Sequence, residues 1–198
     1  MGVPALCLGL LARGQPSGAA GALRRTPVQT EGPFYPVALP QDADADLLRH
    51  GARSPYALGQ AAWVQGRVTD LEGRALAGAQ VEIWQCDQAG HYHHPGDGLR
   101  ASEDFQGFGR VRIGADGRYR FRTIRPVPYS GRTPHIHVKV RLGARELLTT
   151  QLYVAGDPGN AQDFLWRRLS EADRAAVTVP FLRASDGLQA EFPIVVQA

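Results

Sequence analysis

The stretch GRVTDLEGRALAGAQVEIWQC, residues 66–86, reads as strand, turn, strand. Its first strand begins earlier, in AAWVQGRVTD (61–70), and its turn is the polar run from Asp70 to Arg74. In the second strand, extended backbone sends Val81 and Ile83 to one side and Glu82, Trp84 and Cys86 to the other. Working outward, RVRIG (110–114) and RYRFRTI (118–124) flank Ala115-Asp116-Gly117, which signals a hairpin. HIHVKVRL (135–142), LLTTQLYV (147–154) and AEFPIVV (190–196) are rich in β-branched residues and read as further strands. Helical sequence is confined to Asp42–Arg49 and Ala161–Arg174. The expected fold is all-β: a sandwich of about seven to nine strands with one or two short helices. The Pro- and Gly-rich residues 29–60 are expected to wrap it as an extended N-terminal arm.

A chain of 198 residues suits one domain and can bury a full core without staples. Apolar residues make up 43% and charged residues 21%, the balance of a globular protein rather than a disordered one. The 23 glycines and 14 prolines follow no period, which excludes a collagen-like chain. No apolar run reaches the length of a membrane span. The net charge of +3 is carried by Arg13, Arg24 and Arg25, so the body from residue 29 is neutral and a nucleic-acid partner is not expected. The arginines between 110 and 125 alternate along strand-like sequence and read as a solvated face. Two cysteines make no disulfide framework or zinc spacing, and Cys86 reads as a small buried hydrophobe. Residues 1–28 are set apart from the domain at 29–198 as a leader or disordered tail. VPALCLGLLA (3–12) and Ala20-Gly21-Ala22 resemble an apolar signal core and its cleavage site, without the basic start. A leader implies export to the periplasm or outside the cell, with the mature chain starting near Leu23. Without one the protein is cytoplasmic.

Five of six histidines lie between 91 and 137. His135 and His137 share one strand face, with Ile136 opposite, so two imidazoles form one edge that could hold a metal. The same HxH spacing also suits a pair of surface histidines. Zinc would need a third ligand, for which His91, His93 and His94 in GHYHHPGD are candidates. Two tyrosines, Tyr92 and Tyr129, lie nearby in sequence. A phenolate is a hard anionic ligand suited to ferric iron, yet a phenol titrates near 10 and ionises at neutral pH only beside a strong Lewis acid. Alone, either tyrosine reads equally as a loop residue with a wet hydroxyl.

Taken together, TEGPFYP (30–36), residues 66–94, FRTIRPVPY (121–129), GRTPHIHVKV (131–140) and TTQLYVAGDP (149–158) resemble the intradiol ring-cleavage dioxygenases, in their compact, protocatechuate 3,4-dioxygenase-like, exported branch. The resemblance spans roughly residues 29–165. It implies a non-haem iron(III) enzyme that cleaves a catechol-type 1,2-diol between its hydroxylated carbons with O2, giving a cis,cis-muconate. Carried over residue by residue, it implies iron ligation by Tyr92, Tyr129, His135 and His137, with Tyr129 and His137 axial. It implies a catalytic role for Arg132, Gln151 and Tyr129, and substrate contact by Gly32, Pro33 and Trp84. The partners implied are a small aromatic diol and O2, with no membrane association once a leader is removed and with homo-oligomers possible in the family. One departure is the loop between Tyr129 and His135, shorter than in well-studied relatives, where Ser130 and Gly131 replace a substrate-contacting aromatic and open the pocket. Residues 66–84 alone also resemble transthyretin-like binding modules. Such a module has no use for two tyrosines beside HxH, and a zinc hydrolase leaves Tyr92, Tyr129 and Arg132 unexplained.

Overall fold

A computed structural model describes residues 23–198 and realises the strand–turn–strand of 61–84 as β1 (Ala61–Thr69) and β2 (Gln80–Trp84). Then follow β3 (Phe108–Arg112), β4 (Arg118–Ile124), β5 (His135–Leu142) and β6 (Arg145–Val154). Helices α1 (Phe164–Arg168) and α2 (Glu171–Val177) precede β7 (Thr178–Val179), β8 (Leu182–Ala184), β9 (Gly187–Glu191) and β10 (Ile194–Val195). The protein is mostly β, in two mixed five-stranded sheets. In the first, β1 pairs antiparallel with β4 on one side and parallel with β9 and β10 on the other, and β8 borders β9. The second runs β3-β2-β5-β6-β7. No helix among the described residues is long and apolar enough to cross a membrane.

The sheets meet face to face. Val64, Val68 and Phe121 of the first pack against Val81, Ile83, Ile136, Val138, Val140, Leu148 and Leu152 of the second. Strand alternation sends Trp84, His135, His137, Lys139 and Gln151 to the opposite face of the second sheet. That face is buried as well, because the arm from residue 29 lies over it. Gln29 N–H donates to Thr149 O, Gln29 Nε2 to Thr150 Oγ1, and Gln151 Nε2 to Thr30 O. Residues 23–28, assigned by composition to the tail, also run hydrogen-bonded along the sandwich, with Leu23 N–H on Leu71 O and Thr26 N–H on Val195 O. The leader motif at 1–22 lies outside the described residues.

Three local expectations are corrected. Asp42–Arg49 is not helical. Asp44 and Asp46 carboxylates capture the backbone N–H groups of Asp46 and Leu48, and the freed backbone pairs with β4 through Leu47 N–H to Arg122 O and Arg122 N–H to Ala45 O. The turn at Ala115-Asp116-Gly117 forms, but it joins the two sheets and closes no hairpin. Ile113 exchanges hydrogen bonds with Gly78 and Ala79 before β2, whereas Gly117 O accepts from Val68 N–H in the other sheet. AEFPIVV breaks into β9 and β10 at Phe192-Pro193, since proline has no N–H for the ladder. The Ala161–Arg174 region holds two helices, started by Asp163, which accepts from Leu165 and Trp166 N–H, and by Ser170, which accepts from Asp173 N–H.

At that break Phe192 O is tied to the Tyr119 hydroxyl at 2.6 Å and presses on Gly66 of β1. A Cβ at Gly66 would stand 2.1 Å from Phe192 O. Gly66→Ala is therefore expected to cost about 2–3 kcal/mol through overpacking, read as a lowered urea midpoint at unchanged slope.

Candidate metal centre

The registered pairing of β5 with β2 and β6 places His137 between Trp84 and Gln151, and His135 beside Tyr153. The Trp84 indole stacks on the His137 imidazole with centroids 4.8 Å apart and planes 10° from parallel, fixing that ring. The second ring is fixed by its own backbone: His135 Nδ1 lies 2.6 Å from Thr133 O, so Nδ1 carries the proton and Nε2 presents a lone pair. The two Nε2 atoms face each other at 3.2 Å. The Tyr129 hydroxyl lies 3.3 Å from one and 3.5 Å from the other. The Tyr92 ring meets Tyr129 edge-on at 4.9 Å, and its buried hydroxyl has no hydrogen-bond partner.

Arg132 is set by a tight turn. Its N–H donates to Tyr129 O at 2.8 Å, and the two residues between them, Ser130 and Gly131, both take positive φ. The turn matches a primed β-turn and places the guanidinium beside the phenol. A buried carboxylate that the sequence reading missed, Asp163, anchors the guanidinium. Its Oδ2 accepts from Arg132 Nε at 2.6 Å and from Thr133 N–H at 3.1 Å, while Oδ1 caps α1. The position of Asp163 just ahead of FLWRR is a helix-start signal that could have found it. Arg132 Nη2 donates to Gln151 Oε1 at 2.7 Å. With Gln151 Nε2 on Thr30 O, that carboxamide is engaged at both ends, so it joins the arm to Arg132. Tyr153 and Gln29 extend the same network. The exposed Phe164 ring lies 5.4 Å from the guanidinium.

The arm closes the other side. A Cβ on Gly32, whose φ is +76°, would stand 3.2 Å from His137 Cε1, so only glycine lets the backbone pass this close to the imidazole. Pro33 is exposed beside it, and Phe34, also missed, stacks on Tyr92 at 4.8 Å. His91, His93 and His94 do not join the centre. They contact Asp97, Phe105 O and Gly96 N–H instead, and no three His, Cys, Asp or Glu side chains come together among the described residues. The zinc reading thereby loses its third ligand.

Burial and the nearby Arg132 charge leave all four donors neutral. Burial first, then the Arg132 charge, push His135 down to about 4. Burial, His135 and Arg132 push His137 well below its usual value. Burial raises both phenols above theirs, and Arg132 opposes the rise at Tyr129. Burial alone would raise Asp163 too, yet the Arg132 guanidinium and the Trp166 N–H hold it below the ordinary carboxylate range. Two neutral imidazole nitrogens facing each other at 3.2 Å with the Tyr129 hydroxyl beside both, and the Tyr92 ring packed edge-on against Tyr129, make up a donor set with anionic capacity and no carboxylate. That set fits a hard trivalent ion such as ferric iron, whose binding must release the phenol protons.

The profile of the dioxygenase family matches residues 30–197, with the paired tyrosines and HxH inside the match. The chain belongs to the intradiol ring-cleavage dioxygenase family. Within that family it is 38% identical to the protocatechuate 3,4-dioxygenase beta chain of Burkholderia cepacia and 35% identical to the 6-chlorohydroxyquinol 1,2-dioxygenase of Cupriavidus pinatubonensis. These alignments cover 66% and 64% of this chain but only 60% and 49% of those proteins. Among solved structures, the dioxygenase domain of a carbohydrate-binding fusion protein from Streptomyces sp. SirexAA-E superposes with a TM-score of 0.70 at 32% identity, over 88% of this chain and 99% of that one. Catechol 1,2-dioxygenase from Acinetobacter sp. ADP1 gives 0.68 at 25% identity, over 87% of this chain and 62% of its own.

Below pH 6.5 the unfolded chain protonates His135, whereas the folded chain resists until about pH 4. Metal-free protein is therefore expected to lose stability as pH falls through that window, by roughly 3 kcal/mol from His135 alone. Urea midpoints at pH 7.5, 5.5 and 4 check it. A flat profile contradicts the buried neutral imidazole.

Proposed function

We propose that the chain cleaves a catechol-type aromatic 1,2-diol between its two hydroxylated carbons, using O2 and ferric iron held by Tyr92, Tyr129, His135 and His137. The observation that carries this reading is the convergence of two lone-pair nitrogens and a phenol oxygen beside a second, unpartnered phenol, all buried. Bound there, ferric iron supplies the Lewis acidity that lets a diol ionise at neutral pH. The chain supplies the rest. Once metal binding has released its own proton, Tyr129 Oη would be a phenolate able to take a proton from the incoming diol, and the Arg132 charge eases that ionisation by opposing the burial-driven rise of its pKa. Arg132, held by Asp163 and Gln151, points a fixed positive charge at the electron-rich ring and at negative charge that develops on it. Phe34, Trp84 and Gly32 keep water from the imidazoles on the arm side. The relatives named for protocatechuate, hydroxyquinol and catechol substrates support the aromatic-diol class. A transthyretin-like binding module would share the sandwich but would not need this centre.

Purified protein is expected to carry iron and a visible phenolate-to-iron charge-transfer band, and to consume O2 with one or more of catechol, protocatechuate, hydroxyquinol and chlorinated catechols. His137→Ala should lose iron and colour together. Arg132→Ala should keep both while turnover falls about 100-fold, as for a lost electrostatic donor. Arg132→Lys should recover only part of that, since a point charge does not reproduce the planar fork. Colourless protein activated by zinc alone would sink the iron reading.

We also propose that the protein is exported, on the strength of the apolar block and Ala20-Gly21-Ala22. Terminal sequencing of secreted material should then begin near Leu23, and intact Met1 on active cytoplasmic enzyme would contradict export.

A further inference from the structure

Lys139 is the only lysine in the chain, against 21 arginines. It lies on β5 two residues beyond His137, on the same strand face, and is 3% exposed. Its ammonium pairs with Glu31 of the arm, lies 3.2 Å from Glu146 Oε2 of β6, and sits 4.0 Å from the centroid of the Tyr35 ring. The Tyr35 hydroxyl in turn donates to Glu82 Oε2 at 2.9 Å, and Glu82 is the residue directly opposite Lys139 on β2. Arm residues 31 and 35 are thus fastened to one point of the second sheet. A compact ammonium with three donors suits that point, where carboxylates and a ring face arrive from different directions.

Gly32, Pro33 and Phe34 span the gap between the two fastenings. That span is the wall of the metal centre. Gly32 passes against His137 Cε1, and Phe34 stacks on Tyr92. No hydrogen bond to the sheet holds the span itself. Gly32 N–H turns instead to the neighbouring Thr30 Oγ1 at 3.3 Å. Its distance from the imidazole is therefore set by its ends. We propose that Lys139 is a positioning residue that clamps the arm through Glu31 and Tyr35, fixing the Gly32–Phe34 wall against the metal-bearing strand and so setting how tightly the diol is held. The kinetic part of this inference rests on the dioxygenase reading. The clamp itself does not.

The test compares iron-loaded wild type with Glu31→Gln, Lys139→Met and the double variant. Three quantities are read: iron content with its charge-transfer band, KM and kcat for catechol, and amide hydrogen exchange across residues 30–36. Both single variants are expected to keep iron and colour, to raise KM about tenfold with kcat within about twofold, and to exchange about tenfold faster at 30–36. The double variant should be no worse than the worse single, since either change opens the same clamp. Exchange at 30–36 unchanged in Glu31→Gln, or single effects on KM that multiply in the double, would overturn the proposal. If Lys139→Met does not fold, Glu31→Gln decides alone, because its half-exposed carboxylate can be neutralised while Glu146 still pairs the buried ammonium. If wild type turns over no diol while Glu31→Gln still loosens 30–36, the clamp stands and the dioxygenase reading falls.

Discussion

Strand β5 is buried on both of its faces, and the centre depends on that burial. One face, through Ile136, Val138 and Val140, completes the apolar layer between the sheets. The other carries His135, His137 and Lys139 into a second dry layer beneath the arm. A strand dry on one side only would present two ordinary histidines to water, titrating near their usual value. Here desolvation keeps both imidazoles neutral, while the Thr133 carbonyl and the Trp84 ring hold them with their Nε2 atoms facing each other. The arm is thus part of the chemistry, since it turns an outer sheet face into an interior.

The charge of Arg132 has a double effect in that interior. It depresses the imidazoles, keeping them available as ligands, and it restrains the rise of the Tyr129 phenol. Unpaired, a largely buried guanidinium at this place would be costly. Asp163 compensates it, and the same carboxylate caps α1 and holds the backbone of Thr133, whose carbonyl orients His135. Ligand orientation, cation placement and helix start therefore converge on one buried side chain.

Much of this was legible in the sequence. Alternation in 80–86 and 135–142 assigned the faces of Val81, Ile83, Trp84, His135 and His137, because period-2 geometry is local. The ordered tyrosines and HxH named the residues that meet. What could not be read were partnerships decided at a distance. The turn at 115–117 carries a local backbone signal, and the identity of the strands it joins is set by Ile113 seeking the core. The aspartates of 42–46 look compatible with a helix until β4 is present to take their backbone. Asp163, Phe34 and Glu31 are ordinary in sequence and acquire meaning only from what folds against them.

The isolation of Lys139 has a chemical consequence. Catechols oxidise readily to o-quinones, electrophiles that arylate amines and thiolates. On the proposed reading, the protein would work among such electrophiles. Along this chain the positive surface is built from arginine, whose protonated guanidinium is a poor nucleophile. The one lysine is hidden behind carboxylates. Cys86 is buried, and burial first, then nearby Asp87, push its thiol up to about 12, keeping it from the reactive thiolate form. Among the described residues the surface therefore offers a quinone neither an exposed lysine amine nor a thiolate, which follows from how the chain distributes its cations rather than from how strongly it folds.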